Sequence, residues 1–155
     1  MKKILFCLIT ILALAGCASM NQAQNLANCK FALTSVHLTD YNLTSLGFDI
    51  VISITNPSKT EKASLKRFVG KLTVNDDYMA DVTLKDIEIE PNSTKAAKAK
   101  INVPLTAVSS KLIGLLSMGS GTLDYHLTGT MYFESPLGVE IPVPVDIGRV
   151  GSANS

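Results

Sequence analysis

The stretch FDIVISITNPSKTEK (residues 48–62) decides the fold, because it alternates strictly and then stops. Phe48, Ile50, Ile52 and Ile54 fall on one side of an extended chain, with Asp49, Val51, Ser53 and Thr55 on the other. A period of two with one apolar side is the pattern of a strand with one buried face. Asn56-Pro57 then ends it. Proline has no amide hydrogen to give to a ladder, and it pushes the residue before it toward extended or turn geometry. Ser58–Lys62 reads as a solvated connection, so the halt predicts a corner of a β fold.

Working outward, the same period recurs on both sides. Residues 31–41 (FALTSVHLTDY) give a first strand. After the corner, Leu65, Arg67 and Val69 are expected on one side, with Lys66, Phe68 and Gly70 on the other. KLTV then runs into Asn75-Asp76-Asp77, a polar turn that returns through YMADVTL as a hairpin. The next strand follows a stop at Pro91-Asn92-Ser93 and places Ala97, Ala99, Ile101 and Val103 opposite Lys98 and Lys100. Leu105, Val108, Leu112, Leu115 and Leu116 instead repeat at helical spacing between Pro104 and the Gly119/Gly121 pair, predicting one α-helix near 105–118. Leu123, Tyr125, Leu127, Met131 and Phe133 share a face of the following strand. In the last strand, Val139, Ile141, Val143, Val145 and Ile147 alternate with Pro142 and Pro144, which cannot donate to a neighbour and so mark an edge. About seven strands with frequent turns predict a mainly β fold, a two-sheet antiparallel sandwich of the fibronectin III/immunoglobulin-like kind with one helix closing it.

The N-terminal segment has another character. Met1-Lys2-Lys3 is basic, and ILFCLITILALAG (residues 4–16) is apolar, the layout of a secretory signal. It is shorter than the roughly 20 apolar residues a spanning helix needs. Leu14-Ala15-Gly16-Cys17 resembles the lipobox of bacterial lipoproteins, which implies cleavage before Cys17 and lipid on its sulfur and amine. Two or more acyl chains anchor stably where one does not. The competing reading is an ordinary signal cut nearby, with Cys17 an incidental thiol. Ala18 rather than Asp after the cysteine implies, by the same family's sorting rule, the outer membrane facing the periplasm. The expected plan is a signal peptide at 1–16, a lipidated cysteine and tether at 17–30, one domain at 31–150 and a tail at 151–155.

Composition removes several function classes. The formal charge of +1 falls to −1 once Lys2 and Lys3 are removed, which gives no basis for nucleic-acid binding. With Cys7 in the signal and Cys17 acylated, Cys29 has no partner for an internal disulfide. His37 and His126 are the two histidines, without Cys/His spacing for a metal. Asn75-Asp76-Asp77 lacks the alternating oxygens and distal Glu of a calcium loop. No serine sits in Gly-x-Ser-x-Gly and no glycine-rich phosphate loop occurs, so no catalytic residue, cofactor or small-molecule substrate is expected. Lys59, Lys62, Lys66, Arg67 and Lys71 concentrate positive charge after Asn56-Pro57, with Glu61 among them. Lys66, Arg67 and Lys71 are therefore candidates for contact with anionic headgroups or an acidic partner, against the plainer reading of a solvated face.

The order of these features resembles a known family. An apolar strand ending in Asn56-Pro57, the hairpin LTVNDDYMADVTL, then IEIEPNSTKAAKAKINVPL, a helix and LDYHLTGTMYF are similar to the group-2 late embryogenesis abundant proteins. That family contains the water stress and hypersensitive response (WHy) domain. The resemblance spans about residues 33–149, with Asn56 and Pro57 its sharpest token. Tyr125 and Gly129 fit its aromatic and glycine positions, while Ser58 departs from the Asn common there. It implies a folded sandwich associated with desiccation, osmotic and cold stress, without enzymatic activity. The expectation is a lipid-anchored envelope protein, joined to the membrane through Cys17, that binds or shields client proteins or other envelope components. The alternative is an accessory or apolar-ligand-binding subunit of an envelope transport or assembly complex, using the space between the sheets or under the helix.

Overall fold

A computed structural model describes residues 24–118 and 121–152. The expected signal peptide, Cys17 and residues 153–155 of the expected tail lie outside the described residues. Seven strands carry the fold: β1 (Lys30–Tyr41), β2 (Ser45–Asn56), β3 (Ala63–Val74), β4 (Asp77–Ile89), β5 (Ser93–Pro104), β6 (Thr122–Glu134) and β7 (Glu140–Ser152). They form two sheets, β1-β2-β5 and β4-β3-β6-β7, with every pairing antiparallel. The protein is a mainly β sandwich of the expected kind, and among the described residues its one helix longer than a single turn is α1 (Ser110–Met118).

The two sheets meet through the apolar rows that the alternation predicts. Phe48, Ile50, Ile52 and Ile54 of β2 are buried against Leu65, Phe68 and Leu72 of β3 and Leu127, Met131 and Phe133 of β6, all in one core. The connections β2–β3 and β4–β5 cross between sheets at one end, which also holds the start of β1; we call this the entry end. The β5–β6 connection, carrying α1, crosses at the opposite, helix end.

Local chemistry explains most turns. Asn75 and Asp76 have φ of 51° and 69°, the two positive values of a type I′ two-residue hairpin, so the predicted polar turn closes β3 on β4. β7 pairs with β6 alone, and Pro142 and Pro144 lie opposite Tyr132 and Thr130, so the doubly proline-marked strand is an edge.

Three boundaries and one face assignment differ from the sequence reading. The helix does not start at 105: Leu105–Ala107 is a 3₁₀ turn, the chain is extended at Val108, and α1 begins at Ser110. In β3, Arg67 and Val69 do not share a side with Leu65. The register against β6 shifts between Leu65 and Arg67, and Asp86, opposite Lys66, takes a φ of 51°. This bulge turns both Lys66 and Arg67 outward and returns Phe68 to the core. At the entry end, residues 24–27 form a helical turn, and Leu26 and Cys29 are buried in the core. The last part of the supposed tether therefore belongs to the domain. At the other terminus, β7 continues to Ser152, two residues beyond the expected limit.

Candidate functional site

Asn56 is 2% exposed and, with Ser58, makes up the buried polar residues among the described ones. Its Nδ2 donates to the carbonyls of Glu61 (2.8 Å), Ile89 (3.2 Å) and Glu90 (3.3 Å). Its Oδ1 accepts the amide of Ser58 at 3.1 Å, an Asx turn of the kind that Asn and Asp favour. Ser58 Oγ accepts the amides of Glu61 (3.0 Å) and Thr60 (3.4 Å), and its carbonyl accepts the amide of Asn92 at 2.7 Å. One side chain at the end of β2 thus ties the connection leading into β3 to the end of β4, and so joins the two sheets where both crossings meet. Buried polar groups cost free energy unless bonded, and here each bond is made. The corner is a structural lock whose buried polar groups are turned to one another.

The basic run after the corner is not a bare positive surface. Lys62 binds Glu90 at 2.8 Å, Lys66 binds Glu134 at 2.8 Å, and Arg67 binds Glu140 at 3.0 Å. The carboxylate bonds raise all three basic groups above their ordinary pKa values. Arg67 also stacks on Tyr132, 3.8 Å from the ring centre, a cation–π contact. Lys71 sits across from Asp81 on the same outer face. The bulge gathers Lys66 and Arg67 there, but beside acids from β6 and the start of β7 that are distant in sequence. Such exposed pairs contribute little stability; their consequence is a face of mixed charge.

Cys29 is buried, its Sγ lying 3.9 Å from the carbonyl of Asn25, and burial pushes its thiol up to about 11. Only the thiolate reacts readily. Folded protein at pH 8 should therefore leave Cys29 unlabelled by a thiol reagent, while denatured protein labels it fully. The burial also predicts a pH effect on stability. The unfolded thiol ionises near 9.0 and the folded one near 11, so the native state binds more protons in that window and stability falls as pH rises through it. Tyr125, raised by burial, acts in the same direction at higher pH. Urea midpoints at pH 8.5 and 10.5 should differ less in Cys29→Ala than in the native chain.

At the helix end, Ser109 caps α1. Its Oγ accepts the amide of Leu112 (3.2 Å) and donates to Asp77 of the β3–β4 turn (2.6 Å). Ser109→Ala should cost about 1 kcal/mol in unfolding free energy, the usual value of an N-cap; thermal unfolding checks it. The seam under α1, lined by Phe48, Val74, Met79, Leu112, Leu116, Leu123 and Tyr125, leaves no room for a water molecule. An open groove of about 460 Å³ instead lies between Tyr78–Asp81 of β4 and Lys100–Asn102 of β5. His37 is on β1 and His126 on β6, in different sheets; His126 Nδ1 lies 3.1 Å from Asp146. Among the described residues no cluster of His, Cys, Asp or Glu suits a metal ion, and no helix is long and apolar enough to cross a membrane.

The fold and the corner define a class: a seven-stranded sandwich with one helix between its fifth and sixth strands. Solved structures resemble this fold at low identity. The solution structure of AT1g01470 from Arabidopsis thaliana matches with a TM-score of 0.63 and 16% identity, covering 79% of this chain and 80% of that one. The solution structure of a candidate late embryogenesis abundant (LEA) protein, At2g46140.1, matches with a TM-score of 0.53 and 18% identity over 92% and 83% of the two chains. A protein from Archaeoglobus fulgidus matches at 0.50 and 7% identity, over 81% and 94%. No protein-family model and no curated protein matches the sequence. The likeness is one of fold, and it includes a neighbour described as late embryogenesis abundant.

Proposed function

We propose that this chain is a non-enzymatic, lipid-anchored envelope protein whose stress-protection type sandwich binds or shields other envelope components. Lipid on Cys17 holds it in the outer membrane, facing the periplasm. The observation that carries the protective part is the sandwich shared with the candidate late embryogenesis abundant protein over 92% of this chain. The filled seam under α1 supports a role exercised by the outer surface, since an internal apolar ligand would need space there. The anchoring part rests on Leu14-Ala15-Gly16-Cys17 after an apolar signal.

Two measurements test the two parts separately. Cells expressing the native chain should incorporate labelled palmitate into it, and Cys17→Ser should abolish the label and release the protein from membranes; persistent labelling overturns the anchor. Deletion should lower survival of drying, salt or cold, and restoring the native gene should recover it. Unchanged survival under all three stresses counts against protection.

An accessory subunit of envelope transport or assembly is the second reading, favoured by the open groove between β4 and β5. Its mark is a single stoichiometric partner in a pull-down, or a bound lipid in native mass spectrometry, lost on changing Tyr78 and Ile101.

A further inference from the structure

The core row of β7 does not end with the core. Val145 and Val143 are 4% and 6% exposed, Ile141 is partly buried, and the next residues of the same period, Val139 and Leu137, are 60% and 73% exposed. The row runs out of the sandwich at the entry end. There it is held by a closed turn: the Ser135 amide donates to the Val139 carbonyl (2.9 Å), Gly138 donates to the Ser135 carbonyl (2.9 Å), and the Val139 amide donates to Ser135 Oγ (3.1 Å). Pro136 adds rigidity and Gly138 takes a φ of 75°, so Leu137 stands at the tip of a braced loop. Among the described residues its side chain is not part of the core or packed against it.

The same end receives the chain. Residues 18–23 separate the lipobox cysteine from the first described residue, and the seven residue steps from Cys17 to Gln24 reach at most about 25 Å when extended. Strands of this length span about 40 Å, so the opposite tip, with exposed Tyr41 and Leu43, stands that much farther from the attachment. Lys30 and Lys59 also lie at the entry end, suited to the headgroup layer. Isolated exposed apolar residues are ordinary on protein surfaces. A row that leaves the core in a braced loop, at the end tied to lipid, is a more specific arrangement.

We infer that the entry end faces the bilayer and that Leu137 and Val139 enter the boundary between headgroups and acyl chains. The inference rests on the anchoring reading above and adds an orientation to it. A short tether and two apolar side chains then act together, since a second attachment to a surface becomes intramolecular once the first is made. The domain would stand upright, with Tyr41, Leu43 and the helix end turned away from the membrane.

The test uses the full lipidated chain in vesicles of phosphatidylethanolamine and phosphatidylglycerol. A fluorescent thiol probe is placed at Leu137→Cys or, separately, at Leu43→Cys, both exposed sites, while buried Cys29 stays unlabelled. A quencher carried on the lipid acyl chains should quench the probe at 137 at least threefold more than the probe at 43. In a Val139→Cys sample, adding Leu137→Asp should reduce quenching to the level seen at 43. Equal quenching at both ends, or more at 43, overturns the inference. Sedimentation of the same samples separates the two failures. Protein that floats free of vesicles overturns the anchoring and the orientation with it; protein that sediments without quenching at 137 overturns the orientation alone.

Discussion

Asn56→Ala is expected to lower the free energy of unfolding by about 3 kcal/mol, a large loss for a single surface-distant truncation. Truncation removes the donor that serves the Glu61, Ile89 and Glu90 carbonyls, and the acceptor for the Ser58 amide. A buried group left without its partner costs about 1–3 kcal/mol, and the members of a network do not add independently. Asn56→Asp should be worse at pH 7 despite its matching shape. A carboxylate cannot donate, and here it would face three carbonyl oxygens. Burial and those oxygens would raise its pKa in the folded state, so the variant should regain stability as the pH falls and the acid becomes protonated. Pro57→Ala keeps the Asn56 bonds and should cost less than either. Urea unfolding of the three variants at pH 7 and pH 5 gives the order directly; a loss below 1 kcal/mol for Asn56→Ala would show that the corner is not a lock.

Gly129→Ala is expected to prevent stable folding, with a penalty above the usual 1–3 kcal/mol of overpacking. A Cβ at Gly129 would lie 2.4 Å from the Val69 carbonyl oxygen, 2.5 Å from Gly70 Cα and 2.9 Å from the Phe68 ring. Gly70 is its direct partner across β3 and β6, so the Phe68 ring rests on two facing glycines. Two of the three contacts are backbone, which cannot step aside without parting the central strands of the larger sheet. Adding Phe68→Leu should therefore fail to rescue Gly129→Ala. The same change should relieve Gly70→Ala in part, since there the nearest atom is the ring, at 2.3 Å. Soluble yield and circular dichroism of the single and double variants distinguish these outcomes.

What the sequence disclosed follows from the range over which its signals act. Alternation in β2, the Asn75-Asp76 turn and the prolines of β7 are local facts, and each appears in the structure where the residues place it. The side exchange in β3 was hidden because its cause is shared between Lys66 and Asp86, twenty positions apart. The basic run looked like a charged patch because Glu90, Glu134 and Glu140 arrive from other parts of the chain. Asn56-Pro57 is the instructive case. That the strand must stop there was legible from proline chemistry. That Asn56 reaches across to carbonyls 33 and 34 residues away was not, since nothing near it names those partners. The helix start was displaced because Leu105 and Val108 keep helical spacing, while Ser109, the residue that caps, sets where the helix begins.

The lock also bears on the functional reading. A sandwich with its crossings tied at one end, its helix seam filled and, among the described residues, no buried side-chain nitrogen or oxygen unpaired is built to hold its shape. Protection of other molecules requires a domain that itself stays folded while water activity falls. The most direct measurement dries a labile enzyme with the purified chain, then rehydrates it and assays both activity and light scattering. The account predicts clearly more retained activity and less aggregation than an equal mass of an inert globular protein, and loss of that advantage in Asn56→Asp. Protection no better than that of the inert protein would contradict it.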